Sequence, residues 1–154
     1  MENIESKIED VLNHIKNVQN NCYKLGIKLI RMGNFELGRN LIKNGQIHDN
    51  SKFTGIEFEH LFPGSIILTD VIKHHASTNP HHPEYWGDIH KMPELYIAEM
   101  VCDCCGRGAE MGTDTRNWFS NEATKKYNFS MEDEVGRKIT YFLDLLLVPV
   151  FKKN

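Results

Sequence analysis

Eight of the 154 residues are histidines, and seven of those eight fall between His48 and His90. Imidazole nitrogens and carboxylate oxygens are suitable ligands for Zn, Fe, Mn or Ni, with softness and geometry choosing among them. The residues with that chemistry are His14, His48, Asp49, His74, His75, His81, His82 and Asp103. They come from separate stretches of the chain, so only folding can gather them.

His14 lies between Val11 and Val18 at spacings of three and four. Alone, it reads as a hydrogen-bonded histidine at a core edge. His48 and Asp49 are adjacent and do not share a helix face, yet both can reach one ion from a turn. His75 falls at the centre of an apolar helix face, where its polar atoms need partners. It is therefore preferred to His74 as the ligand. Asp70, four residues before His74, is placed to orient that ring. His81 and His82 sit beside Tyr85 and Trp86, which argue that their loop packs onto the body. Asp103 points away from the stripe Ile97, Ala98, Val101 and Cys105. Either it is exposed or its helix is buried all round, and the lack of Lys and Arg in that helix favours burial.

The elements that must position these residues are helical. Ile4, Ile8, Val11, Ile15, Val18, Cys22 and Leu25 recur in steps of three and four and specify an amphipathic helix, with Gly33 as its stop and Asn34 as the next cap. A second helix is expected from Phe35 to about Lys43, ended by Gly45, with a short polar segment after it. A third opens at Pro63-Gly64-Ser65, with Ile67, Leu68, Val71, Ile72 and His75 on one inward face, and breaks at Ser77 to Pro80. Pro93 suits the first position of a helix running to Cys105, ended by Gly106 and Gly108. Residues 112–129 read as a loop anchored by Trp118 and Phe119. Ser130 to Asp133 carry a capping signal for a last helix with Val135, Ile139, Phe142, Leu143 and Leu146 inward. The expected fold is all-α: one compact domain, residues 1–154, of five or six helices.

Composition narrows the function class. A 40% hydrophobic and 25% charged chain is an ordinary globule, large enough to bury roughly two-thirds of its unfolded surface. The net charge of −3 lacks the positive excess expected of a binder of long nucleic acids. No apolar run approaches the ~20 residues of a membrane span, and no leader is visible. Of the four cysteines, Cys102, Cys104 and Cys105 crowd into one helix. They form no regular disulfide framework, and three thiols so spaced on a helix cannot face one ion. Small buried core cysteines are the expectation. The abundance of Asn, Lys and Ile suits an AT-rich genome, so the expected setting is the cytoplasm of a bacterium or a phage-infected host.

The order His, His-Asp, His, His-His, Asp on an all-α chain resembles the HD-domain superfamily of metal-dependent phosphohydrolases. The resemblance implies that His14, His48, Asp49 and Asp103 hold one divalent ion. It implies that His75 (or His74), His81 and His82 supply a second. The string His48-Asp49-Asn50-Ser51-Lys52 resembles the variant in cyclic-dinucleotide phosphodiesterases whose lysine contacts phosphate. The chain also resembles a family of small bacterial and phage proteins with the signatures His-Asp-x-Ser-Lys-Phe, His-His-x-x-x-Asn-x-His-His-Pro-Glu-Tyr and Glu-Met-x-x-Asp. Here these fall at His48 to Phe53, His74 to Tyr85 and Glu99 to Asp103, and they imply no activity.

The superfamily resemblance implies one or two divalent ions (Fe, Mn, Ni, Co, Zn or Mg) acting on a small phosphorylated substrate of nucleotide or cyclic-nucleotide type. Two ions about 3.5–4 Å apart would activate water toward phosphorus, with Asp49 as the carboxylate they share. Lys52 would offset phosphate charge. Glu84 and Glu99 are candidates for a general acid, a general base or an orienting partner. Arg107 could clamp a phosphate, and Asn79 could contact substrate or its own loop. The alternative is a non-catalytic, metal-stabilised helical module that binds a nucleotide signal or a host protein. Oligomeric state stays open.

Overall fold

The computed structural model describes residues 3–62, 64 and 66–148. The described residues form an all-helical fold without strands. Five long helices carry it: α1 (Ile4–Arg31), α2 (Phe35–Ile47), α4 (Leu68–Thr78), α6 (Glu94–Met111) and α9 (Glu134–Leu146). Short helices α3 (Gly55–Glu59), α5 (Pro83–Trp86), α7 (Thr115–Trp118) and α8 (Thr124–Tyr127) fill the connections.

Helix α1 is built as its spacing dictates. Asn3 caps it through a side-chain bond from the Glu5 N–H, and Val18, Cys22, Leu25 and Leu29 are fully buried. Asn34 stands at the start of α2 but makes no side-chain cap bond. Helix α2 folds back along α1, and α6 lies against α1, α2 and α9. Helix α9 buries Val135, Ile139, Phe142, Leu143 and Leu146, the predicted stripe, and Asp133 caps it by accepting from the Gly136 N–H.

The two expected glycine stops are corrected. Helix α2 runs through Gly45 to Ile47, because α1 passes too close for a side chain: a Cβ there would lie 2.6 Å from Cys22 Cβ. Helix α6 runs through Gly106 and Gly108 and ends only at Gly112, which adopts φ 67°. A Cβ on Gly108 would collide with the Thr115 side chain. Glycine is kept in these helices for close approach, which outweighs a propensity cost of about 1 kcal/mol. Pro93 caps α6 rather than opening it.

Residues 112–129 are not a loop. Helix α7, a π turn over Phe119–Ala123 and α8 form a continuous helical run, with Phe119 and Ala123 fully buried. Helix α4 departs from its predicted face as well. Only Val71 is buried, while Ile67, Leu68 and Ile72 are more than half exposed. The helix packs by its one edge onto α3 and α5 and turns the rest of its apolar surface outward. Its predicted opening at Pro63 and Ser65 lies outside the described residues; the helix itself begins at Leu68.

Candidate metal centre

Five elements deliver side chains to one point. Helix α1 brings His14; the end of α2 brings His48 and Asp49; α4 brings His75; the turn before α5 brings His81 and His82; α6 brings Asp103. His14, His48, Asp49 and His81 are all but fully buried, and the Asp103 side chain is 16% exposed. Helix α6 is buried on almost every side from Ile97 to Cys102. That is why an aspartate away from its apolar stripe still faces the interior.

Three sets of ligand atoms each converge within 4.8 Å: Asp49 with His75, His81 and His82; His14 with His48 and Asp49; and His48 with His81 and Asp103. Asp49 belongs to two of them. It stands in the left-handed region at φ 56°, uncommon for a non-glycine residue though Asp tolerates it better than most. The cluster can hold a metal ion.

The imidazoles are aimed by glutamates. His48 Nδ1 lies 3.0 Å from Glu99 Oε1, His14 Nδ1 lies 2.8 Å from Glu110 Oε2, and His75 Nδ1 is paired with Glu57 Oε1. A ring that donates Nδ1–H to a carboxylate presents the lone pair of Nε2, the usual arrangement of a metal-bound histidine. The Nε2 atoms point at carboxylates: His14 to Asp103 at 2.8 Å, and His75 and His81 each to Asp49 Oδ1 at 3.2 Å. The approaches to Asp49 are close but lack hydrogen-bond geometry, so His48 Nε2, His81 Nε2, His82 Nε2 and Asp49 Oδ1 are buried without a hydrogen-bond partner. Buried polar atoms left unpaired are costly. Four of them around one point fit a divalent cation, and the donor set, imidazole with carboxylate, is of the right chemistry.

The electrostatics agree. Burial would raise the Asp49 carboxyl, but His75, His81, His48 and Lys52 around it hold it well below the usual carboxylate range. Burial would lower His81, but Asp49 and Glu99 push it up to about 10. Burial lowers His82 to about 3, and the neighbouring charge on His81 adds to this. Glu99 is held at about 2 by His48 and His81 against its burial. The carboxylates of the pocket thus favour positive charge at its centre, while His82 is held neutral.

Some predicted residues stand elsewhere. The His74 side chain is 43% exposed, 3.4 Å from Glu57 Oε2, and joins none of the converging sets, because the helix turns its neighbour His75 inward instead. The carboxylate beside these two histidines is Glu57, not Asp70, which is exposed. Lys52 Nζ lies 3.0 Å from Asp49 Oδ2. Glu99 is buried and also accepts from Asn44, so it positions His48. Glu84 is on the cavity wall, accepting from the Tyr127 hydroxyl at 3.3 Å. Arg107 is half exposed at the rim and pairs with Glu110. Asn79 braces its own loop by donating to the His75 carbonyl and to Ser51 Oγ. Trp86 fastens the His81 loop by donating to the Pro80 carbonyl, whereas Tyr85 is exposed.

Two holders, Glu57 and Glu110, escaped the sequence reading. Glu110 had a signal: Glu99, Asp103 and Glu110 recur at steps of four and seven on one face of α6. Glu57 had none, since it lies in a five-residue helix.

The cluster forms the floor of a cavity of about 470 Å3, walled by Val71, Met100, Trp118 and Tyr127 and rimmed by the cations Arg107 and Lys126. Among the described residues no helix is long and apolar enough to cross a membrane. No curated protein and no solved structure matches the chain. A family model does match, over residues 66–145, from just before α4 to the end of α9. His75, His81, His82 and Asp103 lie inside the matched stretch, and His14, His48 and Asp49 lie before it. By that match, which covers more than half of its length, the chain belongs to the family of unknown function DUF5662.

Proposed function

We propose that the protein is an HD-type, metal-dependent phosphohydrolase that acts in the cytoplasm on a small phosphate ester of nucleotide or cyclic-nucleotide type. One observation carries the reading. Three glutamates hold the Nδ1 atoms of three histidines, and unpaired Nε2 atoms surround a carboxylate shared by two ligand sets. Nothing in the packing of a helical fold requires so many buried, unpaired polar atoms at one point.

His14, His48, Asp49 and Asp103 would hold one divalent ion, and His75, His81 and His82 with Asp49 a second. Bound ions would supply Lewis acidity and a water of lowered pKa. The protein's own groups do the rest. Asp49 joins the two halves of the site from a backbone conformation that fixes its direction. Lys52, beside Asp49 and facing the cavity, offsets charge on a phosphate. Glu57, Glu99 and Glu110 keep the imidazoles in register. Glu84, which lines the same cavity, would serve as a general acid or base.

The test is a screen of nucleotides, cyclic nucleotides and dinucleotides with added Mn, Ni, Co, Fe or Mg. Turnover should appear with one class and vanish in Asp49→Ala, with helical content by circular dichroism unchanged. Protein that binds metal through Asp49 yet turns over none of these would replace the enzyme with a metal-stabilised binding module.

A further inference from the structure

The wall opposite in chemistry to the metal floor is built by the helical run 115–127, and its construction is unusual. Trp118 and Tyr127 are nine residues apart. In a regular α-helix they would point about 180° away from one another. Both nevertheless line the same cavity. The reason is the π turn at Phe119–Ala123 between them, which winds less per residue and takes back part of that rotation.

Both rings are held from behind. Trp118 packs edge to face on Phe119, with centroids 5.1 Å apart, and Phe119 is fully buried. Tyr127 is half-buried, and its hydroxyl donates to Glu84 Oε1. Two anchored aromatic side chains lining one cavity, beside the buried Met100, offer apolar ring surface against which a planar group can pack.

We infer that Trp118 and Tyr127 are the specificity-determining wall of this site, and that they select phosphate esters whose organic group carries a planar ring. The inference rests on the proposed phosphohydrolase reading for the position of the phosphate, at the metal floor. Stacking a ring on one aromatic side chain contributes enough for about a tenfold change in affinity.

The experiment compares phenylphosphonate with methylphosphonate by calorimetry on the metal-loaded full chain. The two probes share the anionic head and differ in the ring. Wild type should bind phenylphosphonate about tenfold more tightly. Trp118→Leu should erase that preference while leaving methylphosphonate affinity and metal content unchanged, and Trp118→Phe should restore most of it. Tyr127→Leu gives an independent second reading if Trp118→Leu folds poorly. Equal binding of the two probes by wild type, no binding of either, or a preference that survives loss of the ring would each overturn the inference. Hydrolysis of phenyl phosphate is measured alongside. Ring preference without hydrolysis keeps the wall and removes the phosphohydrolase; hydrolysis without ring preference does the reverse.

Discussion

Two groups of metal-capable side chains lie on opposite sides of α6, and only one converges on a point that could hold an ion. On one side are the histidines around Asp49 and Asp103. On the other are Cys22, Cys102 and Cys105, buried in the core with Val18 and Leu25, while the partly buried Cys104 lines the cavity above the histidines. By residue type the cysteines are the stronger zinc ligands. They fail on geometry and on charge. Spaced 102, 104 and 105 along one helix, the thiols diverge, and they join none of the converging ligand sets found among the described residues. Burial raises Cys102 and Cys104 well above an ordinary thiol and Cys105 to about 11, so all three stay protonated. The histidines instead arrive from four elements, with Asp103 from a fifth, and His14, His48 and His75 are each aimed by a glutamate. Density of ligand types is a weak signal; convergence from separate elements with unpaired lone pairs is a strong one.

Chelation should separate the two groups most widely. Removing metal should lower the melting temperature of wild type by the equivalent of about 4 kcal/mol if the ion sits near a thousandfold above its dissociation constant. Cys102→Ala should show the same drop, and Asp49→Ala none. Equal drops in all three proteins would place the ion outside the histidine cluster.

The aiming carboxylates come next in size. Glu99→Gln keeps the shape but weakens the acceptor for His48, and metal affinity should fall 10–100-fold, read by competition with a chromophoric chelator. Unchanged affinity would reduce Glu99 to a packing residue. Within the core, Cys102→Ala should cost about 1 kcal/mol in urea denaturation through lost packing and leave metal content alone.

The smallest effect belongs to a histidine with carboxylates but no convergence. His90 pairs with Asp88 at 2.8 Å and Asp133 at 3.2 Å, with about half of its side chain exposed. These partners raise its pKa above 6.5. A raised histidine stabilises the fold below its unfolded pKa and loses that contribution as pH rises through the folded value. His90→Gln should therefore lower the melting temperature slightly at pH 5.5 and leave it unchanged at pH 9. The opposite pH order would contradict this pairing.

Much of this was legible in the sequence because it rests on period. The α1 and α9 stripes and the burial of the α6 cysteines follow from helical spacing and local composition, whereas His75 turns toward the site on a helix whose predicted apolar face is mostly exposed. What stayed hidden depends on neighbours. Gly45 and Gly108 read as stops because their clash partners, Cys22 and Thr115, lie on other turns of the fold. The π turn has no periodic signature and made residues 112–129 look irregular. The outward face of α4 follows from how little packs against it, which spacing along one helix does not reveal. In the site, the residues that converge were legible by type and order, His74 excepted, whereas Glu57 and Glu110 became visible only with their histidines beside them.

The most direct test of the central claim is element-resolved metal analysis of protein purified without chelator, comparing wild type with Asp49→Ala and with a Cys22→Ala, Cys102→Ala, Cys105→Ala triple variant. The account predicts one or two equivalents of a divalent metal in wild type and in the triple variant, and near none in Asp49→Ala. Metal retained by Asp49→Ala and lost from the cysteine variant would contradict it.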